Sequence, residues 1–139
     1  MKNVYIVSAC RTPIAKFQSE LKSLSAVDLG TVVVKDAVRR AGISKRSVEE
    51  VIMGNVLSAG VGQAPARQAT IKSGCPNTTE SLTVNKMCGS GMKALMLAAN
   101  SIRVREHNVV IAGGMESMSN ASYLKPRNEE GEVNESINL

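Results

Sequence analysis

The stretch "VNKMCGSGMKALMLAAN", residues 84–100, decides the fold. It predicts the end of a strand, then a tight turn, then a helix, because a long apolar run with helical spacing follows the turn. Cys88 lies in this turn between a strand and a helix, with Gly89 and Gly91 close behind it. Two interpretations of Cys88 stay open on this pattern alone. It is either a small packed residue at a corner, since unreactive cysteines are commonly buried, or a nucleophile presented for attack.

The helix that follows is predicted from Cys88 to about Arg105, and it is apolar around most of its circumference. One stripe at helical spacing consists of Met92, Leu95, Met96, Ala99 and Ile102. Further apolar positions widen this stripe to Ala94, Leu97 and Ala98. A helix at the surface would show a polar back. We therefore expect a central helix buried between two layers, of which the strands of this chain supply only one.

The rest of the chain alternates between strand and helix patterns. Strands are predicted over 3–9, 50–57, 81–87 and 108–115, and helices over 25–42, 64–74 and 88–105. Ser25 can cap the first helix and Gly42 can end it. This order predicts an α/β layered domain with a mixed, mostly parallel sheet. The first strand is nearly all apolar, which is typical of a strand covered on both faces.

Composition excludes several classes of function. The chain has 139 residues, a net charge of +5 and 2% aromatic residues, and its basic residues form no block. Nucleic-acid binding is not favoured, because few side chains could stack on bases. No apolar run is long enough for a membrane span, and no secretory signal is recognised. The three cysteines fit neither a metal pattern nor an even disulfide set, which favours a reducing, cytoplasmic location.

The position of Cys88 suits a nucleophile. A helix N-terminus concentrates unpaired N–H groups and partial positive charge, which stabilise a thiolate. The neighbouring glycines let a substrate approach the backbone, and the N–H of Cys88 or its neighbours could donate to a developing oxyanion. The arrangement resembles the strand–turn–helix elbow that presents nucleophilic serines.

The partner base that a cysteine nucleophile needs is not near in the sequence. His107 is the only histidine, and it follows the far end of the same helix, roughly 28 Å from Cys88 at 1.5 Å per residue. We expect His107 to be a structural residue at the surface. Cys10 is expected to pack at a strand end and Cys75 to lie in a turn. Gly113 and Gly114 mark either a bare turn or a wall of the active site.

Four motifs in order resemble the successive signatures of the thiolase family. They are "SACRTPIAKF", "GQAPARQ", "VNKMCGSGMKAL" and "AGGMESMSNA", which together span residues 8–121. The chain is most similar to the biosynthetic acetyl-CoA acetyltransferases of that family. Ala15 departs from the pattern, because a glycine is common there.

The resemblance implies that Cys88 is the acyl-accepting nucleophile and that its backbone N–H contributes to an oxyanion hole. Acetyl-CoA would acetylate Cys88, and a second acetyl-CoA would condense with that group to give acetoacetyl-CoA; thiolysis is the reverse. No metal or redox cofactor is implied, since coenzyme A thioesters are the substrates. Family members form dimers or tetramers, so a homo-oligomer is expected.

The resemblance also implies that this sequence is incomplete as an enzyme. Family chains contain two similar halves and a loop domain that holds coenzyme A. Residues 1–118 match the N-terminal half, and residues 119–139 match the start of a shortened loop domain. The activating histidine, a second catalytic cysteine, a water-orienting asparagine and most coenzyme A contacts belong to the other half. The chain alone is therefore expected to be inactive.

Two alternatives remain. The chain could be a non-catalytic fragment that associates with a complementary C-terminal half or a longer relative, with Cys88 kept only as part of the fold. It could also be another cysteine-dependent condensing enzyme, such as a ketoacyl synthase. The motifs "GGMESMS" and "GQAPARQ" argue against the ketoacyl synthase.

Overall fold

The computed structural model describes residues 2–125 and 137–138. Its helices are α1 (Ala26–Ala41), α2 (Pro65–Ser73) and α3 (Ser90–Val104). Its strands are β1 (Glu50–Gly54), β2 (Glu80–Val84), β3 (Val110–Gly114), β4 (Tyr123–Leu124) and β5 (Ile137–Asn138). Short 3-10 turns cover Lys45–Ser47 and Met118–Asn120.

The main sheet has three parallel strands in the order β2-β1-β3. The chain crosses from β1 outward to β2 through α2, and then back past β1 to β3 through α3. Crossovers between parallel strands are right-handed. Because these two crossovers run in opposite directions along the sheet, α2 and α3 lie on opposite faces. The α/β class is thus confirmed, and the main sheet is wholly parallel among the described residues, where a mixed, mostly parallel sheet was predicted. The antiparallel pair β4–β5 forms a separate two-stranded ribbon.

The central strand β1 is buried on both faces, and its side chains alternate between two cores. Val51 and Met53 pack with α1 and α2, whereas Ile52 packs with α3 on the other face. All three are at most 2% exposed. Successive side chains of an extended strand point to opposite faces of the sheet, so β1 lies between two helical layers.

Helix α1 begins and ends where the sequence predicts. The Ser25 hydroxyl accepts a hydrogen bond from the Asp28 N–H at 3.1 Å, and the Asp28 carboxylate accepts one from the Ser25 N–H at 3.2 Å. These bonds form a capping box, and the Ser25 hydroxyl and N–H lower the pKa of Asp28. Gly42 ends the helix at φ +66°, in the left-handed region that favours glycine.

Helix α3 is covered on one side only by the described part of the chain. Its buried side chains include Ala94 and Ala98, which pack on β1 and β3, and Ser101, which is hydrogen-bonded to His107. The opposite side exposes Met92, Leu95 and Met96 at 64%, 41% and 53%. The predicted central helix is therefore half-covered here, and its second layer is not supplied by the described residues.

The strand predicted over residues 3–9 is wrong. This stretch joins no ladder among the described residues, and it lies across a cleft of about 420 Å³ whose other walls belong to α1, α3 and β3. Apolar composition predicts burial, but a strand also needs the backbone groups of a neighbour. No described strand reaches it, so its apolar side chains stay uncovered. The most exposed of them are Tyr5, Ile6 and Val7, at 72–75%.

The loop domain predicted to start at residues 119–139 falls mostly outside the described residues, which end at 125 and resume only for 137–138. Within the described ranges, none of the helices combines the length and the apolar character that crossing a membrane requires.

Candidate active site

Cys88 lies at the carboxyl end of the main sheet, the end at which β1, β2 and β3 finish. It occupies the short segment between β2 and α3, and the helix begins two residues later at Ser90 after the N-cap Gly89. Its side chain is exposed. The first turn of α3 carries no acidic side chain, so no carboxylate there offsets the partial positive charge of the helix end. This is the position the sequence predicts.

The turn that carries Cys88 is held by Ser90. The Ser90 hydroxyl accepts a hydrogen bond from the Lys86 N–H at 2.8 Å and donates one to the Met87 carbonyl at 2.6 Å, and Ser90 is 5% exposed. Met87 adopts φ +48°, a conformation that non-glycine residues rarely take. The Ser90 bonds on both sides of this residue hold the strained turn in place. Sequence reasoning singled out the glycines around Cys88 and missed Ser90.

Three glycines let the start of α3 pack directly on the sheet. A Cβ on Gly54 would lie 2.7 Å from the Gly91 nitrogen and 2.7 Å from the Ser90 Cβ, and one on Gly114 would lie 3.5 Å from the Gly91 Cα. Gly91 therefore serves a close backbone contact between helix and sheet. The bare turn considered at Gly113 and Gly114 is wrong, because both residues end β3.

A cavity of about 530 Å³ opens beside the Cys88 thiol, between the ends of β1 and β3 and the start of α3. Its size falls within the range of small-molecule sites. Gly114 forms part of its wall, which supports the second interpretation of that glycine. The walls are otherwise largely apolar, with one carboxylate. They include Val56, Leu57, Cys88, Glu116 and Met118.

Two polar residues were missed in the sequence, Glu116 in the wall of this cavity and Asn55 behind it. Glu116 is half-buried and follows β3, and Asn55 is 1% exposed and follows β1. Glu116 accepts hydrogen bonds from the Asn55 side chain and from the backbone N–H groups of Val56 and Leu57. The available signal was positional: polar residues directly after parallel strands meet at the carboxyl end of a sheet, where ligands bind in such folds.

His107 is buried, which corrects the prediction of a surface histidine. It is 8% exposed, and its Nδ1 lies 2.7 Å from the Ser101 hydroxyl. The carboxylates of Glu50 and Glu80 lie 3.6 Å and 3.8 Å from its ring nitrogens. These partners gather at the amino end of the sheet, because β1 and β2 begin there. His107 and Cys88 lie beyond opposite ends of α3, so His107 is not the base for Cys88.

The other two cysteines are less exposed than Cys88: Cys10 is half-buried and Cys75 is buried. The Cys10 thiol donates to the Val33 carbonyl at 3.2 Å, and burial together with the charge of Asp36 raises the pKa of this thiol. Cys75 is 6% exposed, and its sulfur accepts a hydrogen bond from the Ser73 hydroxyl at 3.3 Å. Both have the character of structural cysteines, although Cys10 does not end a strand as expected.

Comparison with known proteins gives one family. The family model described as "Thiolase, N-terminal domain" matches residues 4–136. The chain is 51% identical over 131 residues to an acetyl-CoA acetyltransferase of Cupriavidus necator, covering 94% of this chain and 33% of the relative. It is 56% identical over 124 residues to an acetyl-CoA acetyltransferase of Escherichia coli, covering 89% and 32%.

A solved structure agrees with these relatives. The Acat5 thiolase of Ascaris suum, crystallised in complex with coenzyme A, superimposes with a TM-score of 0.94 at 49% identity, covering 99% of this chain and 36% of that one. The chain thus spans about a third of the length of the curated relatives it matches. Since the family model covers nearly all of its residues and the superposition covers the whole layered fold, the chain belongs to the thiolase family.

Proposed function

We propose that this chain carries the nucleophile of a thiolase-type acyltransferase and that Cys88 accepts the acyl group. One observation carries the proposal: the exposed Cys88 thiol opens into a cavity of about 530 Å³ at the N-terminus of α3. A thioester carbonyl placed there would meet the sulfur at the helix end where negative charge is stabilised. The similarity to acetyl-CoA acetyltransferases supports acetyl-CoA and acetoacetyl-CoA as the substrates.

The first step is acyl transfer to sulfur. The Cys88 thiolate attacks the carbonyl carbon of acetyl-CoA, the negative charge moves to the carbonyl oxygen, and the bond from that carbon to the coenzyme A sulfur then breaks. Coenzyme A leaves as a thiolate and takes up a proton, and an acetyl group remains on Cys88. The Cys88 N–H is the donor that we propose for the oxyanion, because the N–H groups of Gly89 and Ser90 already donate to the carbonyls of Lys86 and Met87.

The second step forms a carbon–carbon bond. A base removes a proton from the methyl group of a second acetyl-CoA, and the resulting carbanion attacks the acetyl carbon on Cys88. The Cys88 thiolate is then expelled and acetoacetyl-CoA is released. This step needs an acid/base group close to the sulfur. The sequence has one histidine, and it is buried at the amino end of the sheet, so we propose that the base belongs to another part of the complete enzyme.

The uncovered surfaces support association with that other part. Helix α3 exposes Met92, Leu95 and Met96, and the stretch 3–9 exposes an apolar row beside the 420 Å³ cleft. Apolar surface of this kind marks an interface more often than a free surface. We propose that a complementary C-terminal half, or a second copy of the chain, covers them.

The test is thiolysis of acetoacetyl-CoA by the purified 139-residue chain, beside a full-length relative such as the Escherichia coli enzyme. Since general acid–base groups contribute 10²- to 10⁴-fold, the chain alone should turn over at least about a hundredfold more slowly. Adding a separately produced C-terminal half should restore turnover, and Cys88→Ser should abolish the restored activity. Restored turnover that survives Cys88→Ser would remove Cys88 from the reaction.

The non-catalytic alternative makes a different prediction for the same mixture. A fragment that only associates would form a complex with the C-terminal half, visible as a larger species in sedimentation velocity, without acetoacetyl-CoA thiolysis. A chain that sediments as a compact monomer and ignores the C-terminal half would contradict both versions.

A further inference from the structure

A hydrogen-bonded unit of Asn55 and Glu116 joins the ends of β1 and β3 beside Cys88. One oxygen of the Glu116 carboxylate accepts from the Asn55 side-chain amide at 2.7 Å and from the Leu57 N–H at 3.0 Å. The other oxygen accepts from the Val56 N–H at 2.9 Å. One carboxylate thus holds three donors of the segment 55–57, which directly follows β1.

The amide of Asn55 can face only one way. Its Nδ2 also donates to the Met115 carbonyl at 3.1 Å, and a carbonyl and a carboxylate both accept hydrogen bonds, so the donor end must face them. The Asn55 N–H donates to the Val84 carbonyl at 3.1 Å, which adds the end of β2. Asn55 Oδ1 is buried and has no partner among the described residues. Asn55 directly follows β1, its backbone N–H reaches the end of β2, and its side chain reaches the residue after β3, so all three strand ends meet at Asn55.

The segment that Glu116 holds forms a wall of the cavity. Val56 and Leu57 line the same cavity as the Cys88 thiol. Hydrogen bonds to an ionised acceptor are stronger than neutral ones, and Glu116 directs such bonds to the backbone of both wall residues. Loss of the carboxylate would leave two N–H groups without their acceptor and would free the wall to move.

We propose that Glu116 is a positioning residue of the Cys88 site. Its carboxylate fixes Val56 and Leu57 so that the cavity has the shape that seats the thioester end of an acyl-pantetheine arm at the Cys88 sulfur. This inference rests on the proposed function, because a fixed wall matters for reactivity only if the cavity receives such a substrate.

Glu116→Gln tests the carboxylate with little change of shape. The amide offers one accepting oxygen in place of two, and its NH₂ group must face an N–H donor. At least one of the three hydrogen bonds is therefore replaced by a contact between two donors.

Glu49 provides a matched control at the opposite end of the same sheet. Its carboxylate accepts hydrogen bonds from the backbone N–H groups of Asn108 and Val109 and from the Asn108 side chain. The chemistry is the same as that of Glu116, but Glu49 lies next to the start of β1, away from Cys88. Glu49→Gln therefore reports the general cost of removing such a carboxylate.

The experiment measures how well the cavity selects a pantetheine arm. Two disulfides are used, one joining pantetheine and one joining 2-mercaptoethanol to 5-thio-2-nitrobenzoate. The Cys88 thiolate attacks the aliphatic sulfur, a new disulfide forms, and the coloured thionitrobenzoate leaves. The ratio of the two rate constants cancels the reactivity of the thiol and reports the fit of the arm; peptide mapping confirms reaction at Cys88.

We expect the wild-type chain to prefer the pantetheine disulfide. Glu116→Gln should lower that preference about fivefold or more, the equivalent of about one hydrogen bond, while Glu49→Gln leaves it unchanged. An unchanged preference in Glu116→Gln, or an equal fall in both variants, overturns the positioning role while the proposed function stands. No preference in the wild-type chain overturns the positioning role, because the cavity then does not seat the arm; the proposed function is tested separately, by thiolysis with the added C-terminal half.

Glu116→Asp keeps the charge with a shorter reach and should show an intermediate preference for the pantetheine disulfide.

Hydrogen exchange in the wild-type chain tests the same contacts without any variant that could fail to fold. In the wild-type chain, hydrogen exchange should be slow at the amides of Val56 and Leu57, because both donate to Glu116. Rapid exchange at both amides would overturn the inference without any variant.

Discussion

The two ends of the main sheet differ in how accessible their reactive and titratable side chains are. At the amino end, His107 is buried against Ser101 and lies close to Glu50 and Glu80. At the carboxyl end, the Cys88 thiol is exposed beside a cavity. The group of titratable residues at the amino end therefore has a structural role, and the exposed Cys88 thiol at a helix N-terminus marks the candidate site at the carboxyl end.

The same contrast applies to backbone packing. Both ends have side-chain hydrogen bonds, but at the carboxyl end glycines also let α3 touch the sheet. Changes at the carboxyl end should therefore alter Cys88 as well as stability, and changes at the amino end should alter stability alone. The following predictions test this difference, from the largest effect to the smallest.

Gly54→Ala should be the most damaging of these substitutions. Its Cβ would lie 2.7 Å from backbone atoms of Ser90 and Gly91, so the start of α3 must shift. Overpacking against backbone should lower the free energy of unfolding by about 3 kcal/mol or more, and it should change the rate at which iodoacetamide alkylates Cys88. Chemical denaturation and alkylation kinetics measure the two effects.

Gly42→Ala is the control for Gly54→Ala. Gly42 has φ +66° but open space around its Cβ position, so the cost is backbone strain of about 1 kcal/mol. Similar losses in both variants would show that the contact between α3 and the sheet is looser than described.

Ser90→Ala and Ser101→Ala compare the two ends within one helix. Both serines are buried, and each hydroxyl is hydrogen-bonded, Ser90 to the Cys88 turn and Ser101 to His107. Each variant should lose about 1–3 kcal/mol of unfolding free energy, the cost of leaving buried groups unpaired. Only Ser90→Ala should change the alkylation rate of Cys88. An equal change in both would mean that the turn responds to the stability of α3 as a whole.

Structural features were predicted correctly from the sequence where residues close together in the chain determine them. The limits of α1 were predicted because Ser25 and Gly42 act on their own helix, and the Cys88 turn was predicted because strand, glycines and helix are contiguous. The strand at 3–9 was wrong because apolar composition reports the need for burial and not the presence of a partner.

Non-local arrangements account for the remaining misses. His107 was placed at the surface because a charged helix end precedes it, but the starts of β1 and β2 enclose it. Glu116 was missed because its partners are mostly backbone N–H groups on the loop after another strand. No local pattern encodes such partners.

The smallest predicted effect concerns Glu50, whose ionisation makes the free energy of unfolding depend on pH. Burial raises the pKa of Glu50, the charge of His107 opposes the shift, and the charges of Glu80 and Glu106 add to it. The folded protein therefore holds this proton more tightly than the unfolded chain. Its contribution to stability is present below the unfolded-state pKa and is lost as pH rises through the folded-state pKa.

Glu50→Gln should remove that loss. Relative to the wild-type chain, the variant should gain stability as pH rises from 4 to 7, because the wild-type chain loses the contribution of the buried, protonated Glu50 over that range. Urea denaturation at both pH values measures the difference. A variant that loses stability relative to wild type as pH rises would mean that attraction between Glu50 and His107 dominates at the amino end.

The most direct test of the account is the order in which the three thiols react with iodoacetamide in the folded chain, read by peptide mapping over time. Cys88 should be alkylated first, at least about tenfold faster than Cys10 and Cys75, because Cys88 is exposed at a helix N-terminus, whereas Cys75 is buried and the half-buried Cys10 thiol is hydrogen-bonded to the Val33 carbonyl. Reaction of Cys88 at or below the rate of buried Cys75 would contradict an accessible nucleophile at the carboxyl end of the sheet.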